Sequence, residues 1–161
     1  MRTTELLRIR KQTVPVDLAM PGSAPREVEV FLPEYGGGQP HRRKHVLDLL
    51  EQGVGFLPAR DCSSGSWELF NRDSLLWVRV PRGRLGQDEQ AEDELFDFVK
   101  KVRVELDEGE ALEGELLYSA PGAETRVADY LNQEGRFFSL WHGENLYLIN
   151  KAFVLRVVEF G

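Results

Sequence analysis

The chain has 161 residues, 42% hydrophobic and 29% charged, the composition of a globular protein that could hold one ordinary domain or two small ones. No apolar run approaches the roughly 20 residues of a membrane-spanning helix, and the charged start MRTTELLRIRKQT does not read as a signal peptide, so a cytoplasmic location is expected. The single cysteine, Cys62, excludes an internal disulfide and a thiolate metal cluster, and a formal net charge of -7 disfavours general binding to polyanions.

That charge is uneven. Residues 1–81 carry 11 Lys and Arg against 10 Asp and Glu, whereas residues 82–161 carry 9 against 17. In chain order, VPVDL (Val14–Leu18) and EVEVFL (Glu27–Leu32) read as strands. A long loop, LPEYGGGQPHRRKH from Leu32 to His45, follows. It sets His41, Arg42, Arg43, Lys44 and His45 near Tyr35, and is the first candidate site. With Arg60, the arginines and the lysine suit phosphate and the tyrosine suits a stacked base. The competing reading is a solvated loop whose charge answers the acidic second half.

HVLDLLEQGVGFLPA (His45–Ala59) leads to the loop RDCSSGSW (Arg60–Trp67). Asp61, Ser63 and Gly65 partly match the cyclic-dinucleotide motif of PilZ barrels, but Gly65 arrives one residue early and Arg42 with Arg43 lacks the expected spacing. A tight hairpin loop explains the same residues and is preferred. LFNRDSLLWVRV (Leu69–Val80) then reads as two strands about a polar bend. Six of the ten residues from Asp88 to Asp97 are acidic, so residues 82–95 are expected to form an exposed linker that merges into a strand by Phe96, the alternative being a short acidic helix running to Phe98 with Leu95, Phe98 and Val99 on one face.

Beyond it come a strand at VRVEL (Val102–Leu106), a turn at Asp107–Gly109 and a strand at Leu112–Ser119. Val127 and Leu131, spaced i, i+4 in TRVADYLN, indicate one or two helical turns. RFFSLW, LYLIN and AFVLRVVEF complete the series.

The second series repeats the first. Leu69, Asn71, Leu76 and Val78 recur as Leu148, Asn150, Leu155 and Val157 at an offset of 79, and Val46, Asp48, Leu50, Gln52 and Phe56 recur as Val127, Asp129, Leu131, Gln133 and Phe137 at an offset of 81. VPVDL resembles VRVEL, and EVEVFL resembles EGELLY. The chain therefore reads as a tandem duplication. Five strands and a short helix per copy are expected to curl into a small barrel. The last strand of each copy is apolar on both faces, so the two barrels are expected to pack on each other as a pseudo-dimer.

The order of strands, with a bent last pair interrupted by Asn71-Arg72 in one copy and Asn150-Lys151 in the other, resembles the Sm-like, Hfq-like small β barrels, which are SH3-like in shape. The likeness covers Val14–Val80 and Val102–Glu159, and is similar to a bacterial tandem Sm-like protein. Gly114 matches the family's second-strand glycine, and Asp129 with Asn132 echoes its Asp and Asn. Val28 and Glu51 stand at those positions in the first copy, and Asn71 and Asn150 stand where the family has a glycine. The resemblance implies a first barrel over residues 1–81, a second over 96–161, and assembly through exposed strand edges.

Residues shared by both copies are read as structural: Asp48 and Asp129 at a helical turn, Asn71 and Asn150 in a bend. Catalysis is not expected. His41, His45 and His142 lack metal-ligand spacing, and no nucleophile elbow, P-loop or dinucleotide fingerprint occurs. No cofactor, metal or membrane partner is expected. Of the three tryptophans, Trp67 and Trp141 are candidates for gripping a protein partner and Trp77 is expected between the barrels, with core or inter-barrel packing the preferred reading for at least two of the three. The function expected is a non-enzymatic interaction or scaffold module that binds a partner protein or self-associates through barrel edges, with nucleic-acid or nucleotide binding by the basic loop as the alternative.

Overall fold

The structure, a computed structural model, describes residues 11–33, 42–52, 55–84, 98–118 and 126–160. The first half contains β1 (Lys11–Ala19), β2 (Arg26–Pro33), α1 (Arg42–Glu51), β3 (Phe56–Asp61), β4 (Trp67–Asn71) and β5 (Trp77–Pro81). The second contains β6 (Phe98–Leu106), β7 (Ala111–Tyr118), α2 (Val127–Leu131), β8 (Phe137–His142), β9 (Asn145–Asn150) and β10 (Val154–Glu159). Of the expected linker, Arg82–Arg84 forms a 3-10 turn, and the rest lies outside the described residues.

Alternation sets the inward face of each strand. Val14 and Val16 of β1 pair with Val30 and Val28 of β2, and all four are buried. The bends between β4 and β5 and between β9 and β10 share one geometry. Asn71 (φ -70, ψ 117) and Asn150 (φ -75, ψ 118) each cap a three-residue 3-10 turn, their side-chain oxygens accepting from Asp73 N and Ala152 N. The structural reading of both asparagines holds.

The strands form one antiparallel sheet of ten in the order β10-β6-β7-β8-β9-β5-β1-β2-β3-β4. Each half keeps the same internal order, its last strand beside its first. The sheet does not close, which departs from the expectation of separate barrels. Closure of the first half would require β4 to take the free edge of β5, but β9 occupies that edge, with Trp77 opposite Ile149 and Val80 opposite Leu146.

The core follows from this join. Phe137, Trp141, Leu146 and Leu148 of the second half pack in one cluster with Val14, Leu50 and Val80 of the first. Leu76 and Trp77 of the first half enter the cluster built on Val104, Leu116 and Ile149 of the second. The surplus apolar face foreseen for both terminal strands is thus covered on β5, where Trp77, Val78 and Val80 are all buried, and uncovered on β10, where Leu155 is 67% exposed.

Candidate functional site

Three places on the sheet stand out: the internal join of β5 with β9 and the two strands, β4 and β10, that end the sheet. At the join, backbone pairing runs from Trp77 opposite Ile149 to Pro81 opposite Asn145. Asn150 reinforces it, its amide Nδ2 donating to Leu75 O at 2.9 Å and its backbone N donating to Leu76 O at 3.0 Å. Arg79 binds Asp17 at 3.0 Å and the Tyr147 hydroxyl at 3.2 Å, and the Arg82 guanidinium lies 4.2 Å from the Trp141 ring centre.

A second clamp sits beside these. The Glu51 carboxylate at the end of α1 accepts from Arg136 N at 2.8 Å and Phe137 N at 2.6 Å, while Arg136 pairs with Asp73 at 2.6 Å. Arg136 also donates to Leu50 O at 3.1 Å, and Arg72 donates to Leu49 O at 3.0 Å. These two guanidinium groups therefore satisfy the carbonyls of the last turn of α1. A cleft of about 320 Å³ beside the join is lined by Asp73, Gly135, Arg136, Asn150, Lys151 and Ala152. Burial lowers the pKa of Lys151, whose Nζ donates to Gln133 O at 2.9 Å. The cationic groups of this cleft thus serve the protein's own carbonyls and carboxylates.

At the β4 end, the outward face carries Phe56 (59% exposed), Trp67 (63%) and Leu69 (68%). Trp67 stacks on Phe31 with ring centres 4.9 Å apart, and Leu69 lies across from Pro58. Five apolar residues thus adjoin on three strands, beside a strand edge with no partner strand among the described residues. At the β10 end, a bulge between Val154 and Arg156 turns Leu155 outward, and Phe160 is 47% exposed. Arg156 is ion-paired with Glu105 on β6, and that hydrogen bond with the guanidinium lowers the Glu105 pKa.

The sequence candidates divide among these places. Tyr35 and His41 lie outside the described residues. Arg42, Arg43 and Lys44, read as loop residues, belong to the first turn of α1. Arg60 is on β3, opposite Trp67 and bonded to Glu29 at 2.9 Å. The Arg60–Trp67 loop is a self-satisfied hairpin loop: Asp61 Oδ1 accepts from Ser63 N at 2.8 Å and Ser64 N at 2.9 Å, and Gly65 adopts φ 75. Trp67 is exposed as a contact residue should be, but Trp141 is not. It is 5% exposed because β8 lies against the first half's core, so it serves packing.

Sequence reasoning missed Phe56, Leu69 and Leu155. The available signal was that β4 and β10 carry apolar residues on both faces, which a solvent-covered edge strand does not need. Among the described residues, no three His, Cys, Asp or Glu side chains gather as a metal site, and no helix is long and apolar enough to cross a membrane. No family model, curated protein or solved structure matches the chain.

Proposed function

We propose that the chain is a non-enzymatic interaction module of the cytoplasm, made of two Sm-like units in tandem over residues 1–81 and 96–161, that binds protein through the unpaired edges of β4 and β10. The observation that carries this reading is the asymmetry between the middle of the sheet and its ends. In the middle, the last strand of one half pairs with the fourth strand of the other. Among the described residues, the corresponding strands at the two ends, β10 and β4, lack that partner and present Trp67, Leu69 and Leu155 to solvent. Exposed apolar side chains beside unpaired backbone donors and acceptors are what strand-addition partners use. The matching strand order of the two halves and the matching bends at Asn71 and Asn150 support the duplication.

The test is light scattering coupled to size exclusion, with and without a pool of cellular RNA, at low and moderate salt. An edge-binding module shows a mass indifferent to RNA. A mass increase with RNA that falls steeply with salt, and that disappears when Arg42, Arg43 and Lys44 are changed to alanine, would overturn the reading in favour of nucleic-acid binding.

A further inference from the structure

Resting on that reading, we propose that the cleft between β4 and the β1–β2 turn is a pocket for one arginine or lysine side chain of a different protein, so that the β4 edge selects an extended segment with a basic residue between two apolar ones. The cleft has a volume of about 220 Å³ and is lined by Leu18, Met20, Ala24, Arg26, Glu68 and Phe70. No β3 residue lines it, so it lies toward the edge of β4 that has no partner strand among the described residues.

The cleft is amphipathic. Leu18 and Phe70 are buried and form an apolar floor with Met20. At its mouth, Arg26 is ion-paired both with Asp61, at 3.2 Å, and with Glu68, and its guanidinium lies 5.3 Å from the Phe70 ring centre. Two carboxylates thus face one guanidinium, and this group of three carries one negative charge in excess. Arg26 meets both carboxylates through the same nitrogen, Nη2, while its Nε is buried without a hydrogen bond, so neither carboxylate receives the two-pronged contact that a guanidinium can give. The Glu68 side chain is 34% exposed, which leaves it within reach of a second cation. A basic side chain suits this place, with its aliphatic stem on the apolar floor and its charge at the carboxylate.

Strand geometry decides which partner residue enters. On β4, Phe70 is buried in the core of the first half and Glu68 shares its face, whereas Trp67 and Leu69 face out. Residues directly opposite one another in a sheet share a face, so the partner residue opposite Glu68 turns into the cleft while its two neighbours lie beside Trp67 and Leu69. A basic residue between two apolar ones meets all three. The strand β5 shows the same pattern in place: Arg79 stands between Val78 and Val80 and lies opposite Tyr147, the residue 79 positions after Glu68. But β5 is committed to β9, and the one basic residue of β10, Arg156, is held by Glu105. The basic residue for β4 therefore comes from a different protein rather than from a second copy.

The experiment is fluorescence anisotropy of the full chain with three short labelled peptides that differ only at a central residue, arginine, norleucine or glutamate, set between valines. The arginine peptide should bind about three- to ten-fold more tightly than the norleucine peptide, the range of a partly exposed charge-assisted contact, and the glutamate peptide should bind least. Glu68→Gln should bring the arginine and norleucine peptides together, whereas Glu134→Gln, which removes an exposed carboxylate elsewhere, should leave the preference intact. Ala24→Trp fills the cleft from an exposed position without touching the ion pairs, and should also remove the preference, which keeps the test open if Glu68→Gln does not fold. Equal affinity of the parent for all three peptides, no binding of any, a preference that survives in folded Glu68→Gln or Ala24→Trp, or one that Glu134→Gln removes as well overturns the proposal. Equal binding of the three excludes the basic pocket while the edge-binding reading stands. A salt-sensitive gain of mass with RNA removes that reading itself.

Discussion

A β carbon added to Gly114 would lie 2.2 Å from the carbonyl oxygen of Trp141, a backbone atom that cannot yield without moving β8. The close approach occurs where β7 crosses to β8 through the Glu115–Trp141 pair. Gly114→Ala should therefore cost about 3 kcal/mol, the upper end for overpacking, read as a lower urea midpoint. Asp61 makes a different test. The amide hydrogens of Ser64, then of Ser63, together with the charge of Arg26, hold its carboxyl below the usual aspartate value against a smaller opposing effect of burial. A depressed folded-state value means that the stabilisation is complete above the unfolded-state value and is lost as pH falls through the folded one. Asp61→Asn should therefore be less stable than the parent at pH 7, and the two should converge as pH falls below the unfolded-state aspartate value of about 3.9 and through the lower folded one, in paired denaturation curves. Both positions were partly legible: Gly114 as a strand glycine and Asp61 as a hairpin-loop residue. Trp141 was not, because the same alternating pattern serves an outward aromatic or one buried by a neighbouring unit, and only the join of β5 with β9 decides between them.

Strands and turns followed local pattern closely enough to be read in order. The helix at Val127–Leu131, the hairpin after β3 and the bends at Asn71 and Asn150 stand where side-chain periodicity and turn chemistry put them. The first helix was obscured because Arg42, Arg43 and Lys44 are charged residues after a glycine-rich run, and they give its first turn no apolar stripe. Its last residue carries a role that no local pattern announces. Glu51 reaches 85 and 86 positions along the chain to accept from the backbone of Arg136 and Phe137. Glu51→Ala would leave two part-buried donors unpaired, at a cost of about 2 kcal/mol or more, whereas Glu51→Gln keeps one acceptor oxygen and should lose roughly half as much. Thermal or urea unfolding of the two variants gives the ranking. Equal losses would show that charge, not the two hydrogen bonds, holds α1 against β8.

Duplication within a sequence suggests two folding units, yet the two halves share their cores. Leu146 and Leu148 are fully buried against side chains of the first half, each contributing about 1.5–3 kcal/mol relative to exposure, and Leu76 and Trp77 are buried reciprocally in the second. Removing residues 98–161 would expose Leu76 and Trp77 and free one edge of β5, and removing residues 11–84 would strip β9 of β5 and expose Phe137 and Trp141. Domains this small have little stability to spare. The intact chain should therefore unfold in a single transition, with far-ultraviolet circular dichroism and tryptophan fluorescence tracing the same urea curve. Trp77 and Trp141 lie at the join and Trp67 lies at the free edge, so fluorescence samples both regions. Two resolved transitions would mean that the halves are independent and that their join is a surface contact. One transition, together with unfolded isolated halves, would make the join part of the core. A strand edge that completes a core inside the chain would then be intrinsically sticky when repeated at the sheet's two ends, where no partner strand lies among the described residues.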